Sequence, residues 1–167
     1  TVEQGASATL VDCEFGNSGA KSRAGVVWLD GGNATIKGSN FHHNFAQVGA
    51  VIQARTPGTV VVVEDSSFVD NHASSEGGVY AGAEGVVVMT NVSARRNHAG
   101  YGGVVYGGVG AYDISDSYLE GNEAVYGGVA ACEDADLCAL TRCTVINQSA
   151  TSGAVLWGNA LLVDATG

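Results

Sequence analysis

An internal repeat of about 26 residues constrains the fold of this chain more than any other feature. A fixed period of this length is typical of a solenoid, in which each repeat packs only on its neighbours. The positions that define the repeat, called the anchors, follow one another in steps of 25 to 27 residues. They are Phe15, Phe41, Phe68, Ala94, Leu119 and Val145. We therefore expect six stacked coils.

Other positions recur in register with the anchors. Apolar residues stand seven and five positions before each anchor, and small residues mostly stand two positions before it. Apolar positions that alternate with a period of two, interrupted once, indicate two short strands joined by a bend. The members five positions before the anchor are Leu10, Ile36, Val63, Met89, Ile114 and Leu140.

Asparagine recurs three positions after the anchor in four successive coils. In a parallel solenoid these side chains stack, and each amide can bond to its equivalent one coil above, so we predict an internal ladder. Asparagine also tolerates left-handed backbone, so we place a sharp corner at the same residues. Alanine recurs two positions after the asparagine, which predicts a corner too narrow for larger side chains. A pair of small residues before each valine of the third segment predicts a further tight corner. The ladder residues are Asn44, Asn71, Asn97 and Asn122.

These columns predict an all-β fold, namely a right-handed parallel β-helix (solenoid) with three short strands per coil and about six coils of 25–28 residues. The hand is expected from the general handedness of parallel crossovers. We expect residues 1–167 to be a single β-helix segment and a fragment of a longer protein, because the chain opens without Met or a signal sequence.

The repeat motifs resemble those of a known family. Phe41-His42-His43-Asn44 and Phe68-Val69-Asp70-Asn71, each followed by a segment such as Gly77-Gly78-Val79-Tyr80, are similar to the FxxN and GGA(I/L/V) repeats of chlamydial polymorphic outer-membrane proteins. The same pattern occurs in other extracellular proteins with pectin-lyase-like right-handed β-helices. The resemblance implies a cell-surface or secreted passenger domain, often adhesive, that is built as a β-helix.

Charge and hydropathy exclude two classes of partner. Seventeen acidic residues against seven basic ones leave a formal net charge of −10, a field that repels the phosphate backbone. We expect no nucleic-acid partner. The sequence contains no apolar run of the roughly 18 residues that a membrane-spanning helix needs, so we predict no membrane-spanning segment.

Four cysteines favour an oxidising compartment. Cys13 and Cys143 share one column in the first and sixth coils, about 24 Å apart at about 4.8 Å per coil, which is too far for a disulfide. We predict a local bridge between Cys132 and Cys138.

Three Asn-X-Ser/Thr sequons, at Asn33, Asn91 and Asn147, are glycosylation candidates if the source is eukaryotic. We place Asn33 in a turn, which makes it the best of the three, and the other two in strands or corners.

Two adjacent columns follow the small pairs, and alternation allows only one of them to face the core. We expect the residue after each motif valine to face inward. The valines would then lie outside with Trp28, Tyr106 and Trp157, as a broad apolar face bordered by Tyr101 and Tyr126 that binds a partner. Stacking of these rings on sugars is the competing use of the face. The alternative is that Trp28 and Trp157 point inward and fill the core of the solenoid.

The sequence shows no catalytic constellation. Asp12, Asp65 and Asp116 share one column but belong to alternate coils, and the acidic loop 133–136 lacks the spacing of a known calcium loop. His72 and His98 stack in neighbouring coils without an evident third ligand. His42 and His43 are adjacent on a predicted strand, so we expect them to point to opposite faces and not to chelate together. We predict no catalytic, cofactor or metal site.

The sequence thus predicts a non-catalytic extracellular or cell-surface β-helix segment with a structural or adhesive role. Its expected partner is another protein or a neighbouring subunit of a larger assembly, and glycans are a further possible partner. The alternative function is a carbohydrate-binding or polysaccharide-cleaving β-helix. Fold analogy does not separate the two functions, because this scaffold hosts both.

Overall fold

The computed structural model describes residues 1–3, 5–159 and 161–164, and every regular element within them is a β-strand. The first strands are β1 Val2–Glu3, β2 Ser7–Val11, β3 Glu14–Gly16, β4 Val27–Asp30, β5 Asn33–Lys37, β6 Asn40–His42, β7 Phe45–Val48 and β8 Ile52–Ala54. Next come β9 Thr59–Glu64, β10 Ser67–Val69, β11 His72–Glu76, β12 Tyr80–Thr90, β13 Ser93–Arg95, β14 His98–Tyr101, β15 Val105–Ser115 and β16 Tyr118–Glu120. The last are β17 Glu123–Tyr126, β18 Ala130–Cys132, β19 Leu137–Thr141, β20 Thr144–Ile146, β21 Ser149–Ser152, β22 Leu156–Gly158 and β23 Leu161–Asp164.

These strands form three parallel sheets that run the length of a solenoid. The long sheet has 12 strands, with β1, β4, β8, β12, β15, β18 and β22 along one path and β2, β5, β9, β19 and β23 beside them. The anchor sheet stacks β3, β6, β10, β13, β16 and β20, and the alanine sheet stacks β7, β11, β14, β17 and β21. The all-β, parallel, solenoid prediction of about six coils is therefore confirmed.

The register is the one that the repeat predicts. Phe41 pairs with Phe15 on one side and with Phe68 on the other, and the anchor column continues through Ala94, Leu119 and Val145. The phenylalanine rings stack with centroids 5.3 and 5.2 Å apart and planes 8° from parallel. Phe41 and Phe68 are fully buried, so the anchors form one wall of the core.

The asparagine ladder runs through the interior. The Nδ2 of Asn44, Asn71 and Asn97 donates to the Oδ1 of the next asparagine along the stack at 3.0, 2.9 and 3.0 Å. The same Oδ1 also accepts the backbone N–H of the asparagine below it, at 3.0–3.1 Å. Gln148 extends the ladder by accepting from the backbone N–H of Asn122 at 3.0 Å. All four asparagines are fully buried.

The corner beside the ladder is not where we expected it. None of the four asparagines is left-handed; the residue before each one is, with φ of 52–61° along the column. That residue turns the chain and directs its own side chain outward, which leaves the asparagine side chain free to point inward. The column consists of Asn17, His43, Asp70, Arg96, Gly121 and Asn147. The alanine column is likewise not a corner, because Ala46, Ala73, Ala99 and Ala124 lie inside strands of the alanine sheet.

The motif valines are buried, which contradicts the expectation that they face outward. Val51, Val79, Val104 and Val129 have no exposed surface, and the residue after each is also in the core. The cause is a bulge-like pairing, in which one carbonyl accepts two successive N–H groups. The Val79 carbonyl, for example, accepts from Val51 at 3.2 Å and from Ile52 at 2.8 Å. Such a pairing interrupts the strict alternation of a strand.

Candidate functional site

The candidate site is a groove along the solenoid, at the corner between the alanine sheet and the long sheet. One side is a column of register-paired residues on the long sheet: Trp28, Gln53, Ala81, Tyr106, Ala131 and Trp157. The other side is a column at the end of the alanine sheet: Val48, Glu76, Tyr101, Tyr126 and Ser152. We call the space between them the corner groove.

A left-handed glycine brings the two columns together. In each of five coils the chain turns at a glycine with φ of 62–66°, so residues five apart in sequence face each other across the corner. A Cβ at Gly102 would collide with the Val105 carbonyl, so this tight turn excludes larger residues. The turn glycines are Gly49, Gly77, Gly102, Gly127 and Gly153.

Four aromatic rings pack together in the corner groove. Tyr101 stacks on Tyr126 with centroids 4.9 Å apart, and Tyr126 lies 5.0 Å from Trp157. Tyr106 and Trp157 meet Tyr101 edge to face at 6.0 and 6.2 Å. All four side chains are half-buried, so the cluster presents ring surface to solvent. Trp28 lies at the far end of the groove, where the Arg23 guanidinium covers its ring at 4.5 Å.

Polar groups line the part of the groove next to Tyr106, which has a cavity volume of about 400 Å³. The Tyr106 hydroxyl donates to the Glu133 carboxylate at 3.2 Å. Gln53 contributes a side-chain oxygen that is buried and has no hydrogen-bond partner in the described part of the chain. Arg55, Glu76 and Asp134 add charged groups to this part of the lining. An unpaired buried oxygen is costly, which favours a ligand or water that donates to it.

Two groups in the groove, the Glu76 carboxyl and the Tyr106 hydroxyl, have pKa values above their usual ranges. Burial raises the pKa of the Glu76 carboxyl above its usual range, and the charge of Glu133 raises it further. Burial likewise raises the pKa of the Tyr106 hydroxyl, with Glu133 and Glu76 adding to the effect. Each shift has the direction expected for groups that lose solvent and face like charge. This part of the groove thus combines the carboxyl groups of Glu76 and Glu133 with the guanidinium of Arg55.

The loop 133–137 lies at the edge of the groove. A disulfide between Cys132 and Cys138, whose Cα atoms are 6.3 Å apart, closes this loop. The structure thus contains the local bridge that the sequence predicts. It restrains the loop that carries Glu133, whose carbonyl also accepts from the Asn159 side chain at 2.9 Å. Cys13 and Cys143 are unbridged and half-buried.

The three sequon asparagines are exposed, and their glycosylation stays a prediction. Asn33 does not lie in a turn as expected; it begins β5, and its Oδ1 accepts the Val60 N–H at 2.9 Å. Asn91 and Asn147 are left-handed corner residues with φ of 53° and 55°. The Asn91 amide donates to Asp65 at 2.8 Å.

The histidines form two pairs of different geometry. His72 and His98 stack in neighbouring coils, with centroids 4.8 Å apart and planes 3° from parallel. His42 and His43 do not point to opposite faces: their Nδ1 atoms are 3.2 Å apart. The expectation assumed a continuous strand, but β6 ends at His42 and His43 is left-handed. Within the described residues no cluster of three or more His, Cys, Asp or Glu could hold a metal ion.

Sequence reasoning missed an apolar surface on the outer side of the long sheet. Val60, Val86 and Leu137 are 37–38% exposed and belong to one column, in which Ala111 stands between Val86 and Leu137. Val62 and Val88 are half-buried beside them. The runs Thr59–Glu64 and Gly85–Thr90 could have revealed it, because a strand of consecutive valines puts every second one outside. We call this surface the valine face.

The chain belongs to the right-handed β-helix family, because the family model described as a right handed beta helix region matches residues 1–165. Comparisons with curated proteins and with solved structures found no match. The regular elements of the described ranges include no helix that is long and apolar enough to cross a membrane.

Proposed function

We propose that this β-helix is a non-catalytic adhesive segment that acts outside the cell or on its surface and binds a neutral carbohydrate chain along the corner groove. The observation that carries the proposal is the cluster of Tyr101, Tyr106, Tyr126 and Trp157 beside polar groups of the same groove. Rings with exposed faces stack on sugars, and nearby amides and carboxylates bond to sugar hydroxyls.

The charge of the groove narrows the ligand class. Glu76, Glu133 and Asp134 contribute three acidic groups there against the single guanidinium of Arg55, and the chain as a whole carries a net charge of −10. An acidic polysaccharide would meet repulsion from both sources, whereas a neutral one would not. The extracellular setting is supported by the disulfide between Cys132 and Cys138, since such bonds persist in oxidising compartments.

We expect Trp157→Ala and Tyr126→Ala each to weaken binding of a neutral polysaccharide about tenfold, because each removes a stacking ring. Affinity electrophoresis or calorimetry on a panel of neutral and acidic polysaccharides measures the effect. Tyr118→Ala is the matched control, since Tyr118 is a half-buried tyrosine on the anchor sheet that lies over Arg95 and outside the groove. Unchanged affinity in both groove variants would contradict the proposal, and release of new reducing ends would contradict its non-catalytic part.

The valine face supports a second candidate function, which is assembly with a protein partner or a neighbouring subunit. Its exposed β-branched residues form a flat apolar surface of the kind that marks protein contacts. We expect Val86→Lys to abolish such assembly, because an ammonium placed in the contact would lose its hydration. Sedimentation velocity of the chain measures its self-assembly, and carbohydrate binding should be unaffected. Unaltered assembly in Val86→Lys would exclude this face as the contact.

A further inference from the structure

His42 and His43 form a convergent pair of imidazoles at the corner between the anchor sheet and the alanine sheet. Their Nδ1 atoms are 3.2 Å apart, and their ring planes are 84° from parallel. The lone pair of an imidazole nitrogen lies in the ring plane. The contact has the geometry of a hydrogen bond, in which the Nδ1–H of one ring points at the Nδ1 of the other, so a metal ion that replaces this proton can meet both lone pairs.

The local backbone creates this convergence. His42 is the last residue of β6, and His43 is left-handed with φ of 55°, so the second side chain turns toward the first. Gly16 is the register partner of His42 in the coil below and leaves room for its ring. A Cβ at Gly16 would lie 2.6 Å from the His42 Nε2 and would displace the ring.

Each ring has a carboxylate at its other nitrogen. Glu14 Oε1 lies 3.2 Å from the Nε2 of His42, and Asp70 Oδ2 lies 3.8 Å from the Nε2 of His43. Asp70 is itself oriented by Arg96, which donates to both of its oxygens at 2.8 Å. A carboxylate hydrogen-bonded to the distal nitrogen, as Glu14 is to His42, is the usual outer-shell partner of a metal-binding histidine and orients its ring.

We propose that His42 and His43 together form a bidentate surface site for a divalent transition metal of the Cu²⁺, Ni²⁺ and Zn²⁺ class. Bonds of about 2.0–2.1 Å from one ion to nitrogens 3.2 Å apart enclose an angle of roughly 103°, which lies between the tetrahedral angle that Zn²⁺ prefers and the right angle of tetragonal Cu²⁺ and Ni²⁺ sites. Imidazole ligands suit these three metals. The described residues add no third protein ligand, so the remaining positions are open to water, a small chelator or a side chain of a partner.

The other histidine pair cannot bind in this way. The rings of His72 and His98 are parallel and stacked, so their in-plane lone pairs point side by side and do not converge on one ion. The chain has four histidines, two in each arrangement. Variants of the stacked pair are therefore the control for variants of the convergent pair.

The test uses the untagged full chain and the copper complex of iminodiacetate, which leaves coordination positions for two imidazoles. Calorimetry should show one site, and electron paramagnetic resonance should show two coordinated protein nitrogens. We expect His42→Ala and His43→Ala each to weaken binding at least about tenfold, because the second ligand acts at high effective concentration. His72→Ala and His98→Ala should leave the affinity unchanged.

A further variant tests whether binding depends on the relative position of the two rings or only on the presence of two histidines. Gly16→Ala keeps both histidines but displaces the His42 ring, so it should weaken copper binding several-fold with an unchanged circular-dichroism spectrum. Unchanged affinity in either His42→Ala or His43→Ala would overturn the proposal. An equal loss in the His72→Ala and His98→Ala variants, or a spectrum with a single protein nitrogen, would also overturn it.

Discussion

Asn71→Ala should lower the free energy of unfolding by about 3–5 kcal/mol, which is a large effect for one truncation. The Asn71 Oδ1 accepts from both the backbone N–H and the Nδ2 of Asn44, and its own Nδ2 donates to Asn97 and to the Phe41 carbonyl. Alanine removes all four bonds and leaves the Asn44 backbone N–H without its partner in a site that water does not reach, whereas the Asn44 Nδ2 keeps the Phe15 carbonyl and the Asn97 Oδ1 keeps the backbone N–H of residue 71. A buried group left without its partner costs about 1–3 kcal/mol. Chemical denaturation followed by circular dichroism measures the loss.

Asn40→Ala is the matched control for the ladder. Asn40 is also an asparagine in register within the solenoid, but it is exposed, and its Oδ1 accepts a single bond from the Ser67 hydroxyl at 2.6 Å. Water replaces that bond, so the loss should stay below about 1 kcal/mol. If Asn71→Ala cost no more than Asn40→Ala, the ladder would not be a major source of stability.

Gly102→Ala should destabilise the fold by more than about 3 kcal/mol, because two penalties combine. Gly102 is left-handed with φ of 64°, a conformation that costs other residues about 1–2 kcal/mol. In addition, a Cβ there would lie 2.9 Å from the backbone nitrogen of Tyr106 and would collide with the Val105 carbonyl. The Val104 carbonyl, next to this turn, accepts hydrogen bonds from the N–H groups of Val79 and Tyr80. The backbone therefore cannot move away from the added Cβ without breaking these bonds. Thermal and chemical denaturation measure the effect.

Gly121→Ala isolates the first of these penalties. Gly121 is also left-handed, with φ of 61°, but the nearest atom to a Cβ there is the Arg96 Cγ at 3.6 Å. The other coils carry Asn, His, Asp or Arg at this column, so the position accepts a side chain. The expected loss is about 1–2 kcal/mol. Equal losses in the two alanine variants would show that backbone collision at the turn glycines is unimportant.

The two glycine columns also explain why the corner groove lies where it does. A turn that tolerates only glycine keeps the chain tight, so side chains five residues apart approach across it, as Tyr101 and Tyr106 do. The more permissive corner before the asparagine ladder instead carries outward side chains. Ion pairs between coils form there, such as Arg96 with Asp70 at 2.8 Å. Each coil thus has two kinds of corner. Side chains meet across the glycine corner and line a groove, whereas charged side chains point into solvent at the corner before the ladder.

The sequence by itself determined the coil length, the register of the stack, the anchor column, the asparagine ladder and the local disulfide. Its predictive power has a simple cause, because in a parallel solenoid each residue contacts its own equivalents one period away, so a column read from the sequence is already a contact list. Only the tertiary structure decided what happens at the bends. The bulge-like pairing that buries Val51 and Val79, the left-handed residue before Asn71, and the convergence of His42 on His43 all depend on backbone angles at corners. Strand alternation does not continue through a corner, so periodicity cannot specify on which side of the sheet the next residue lies.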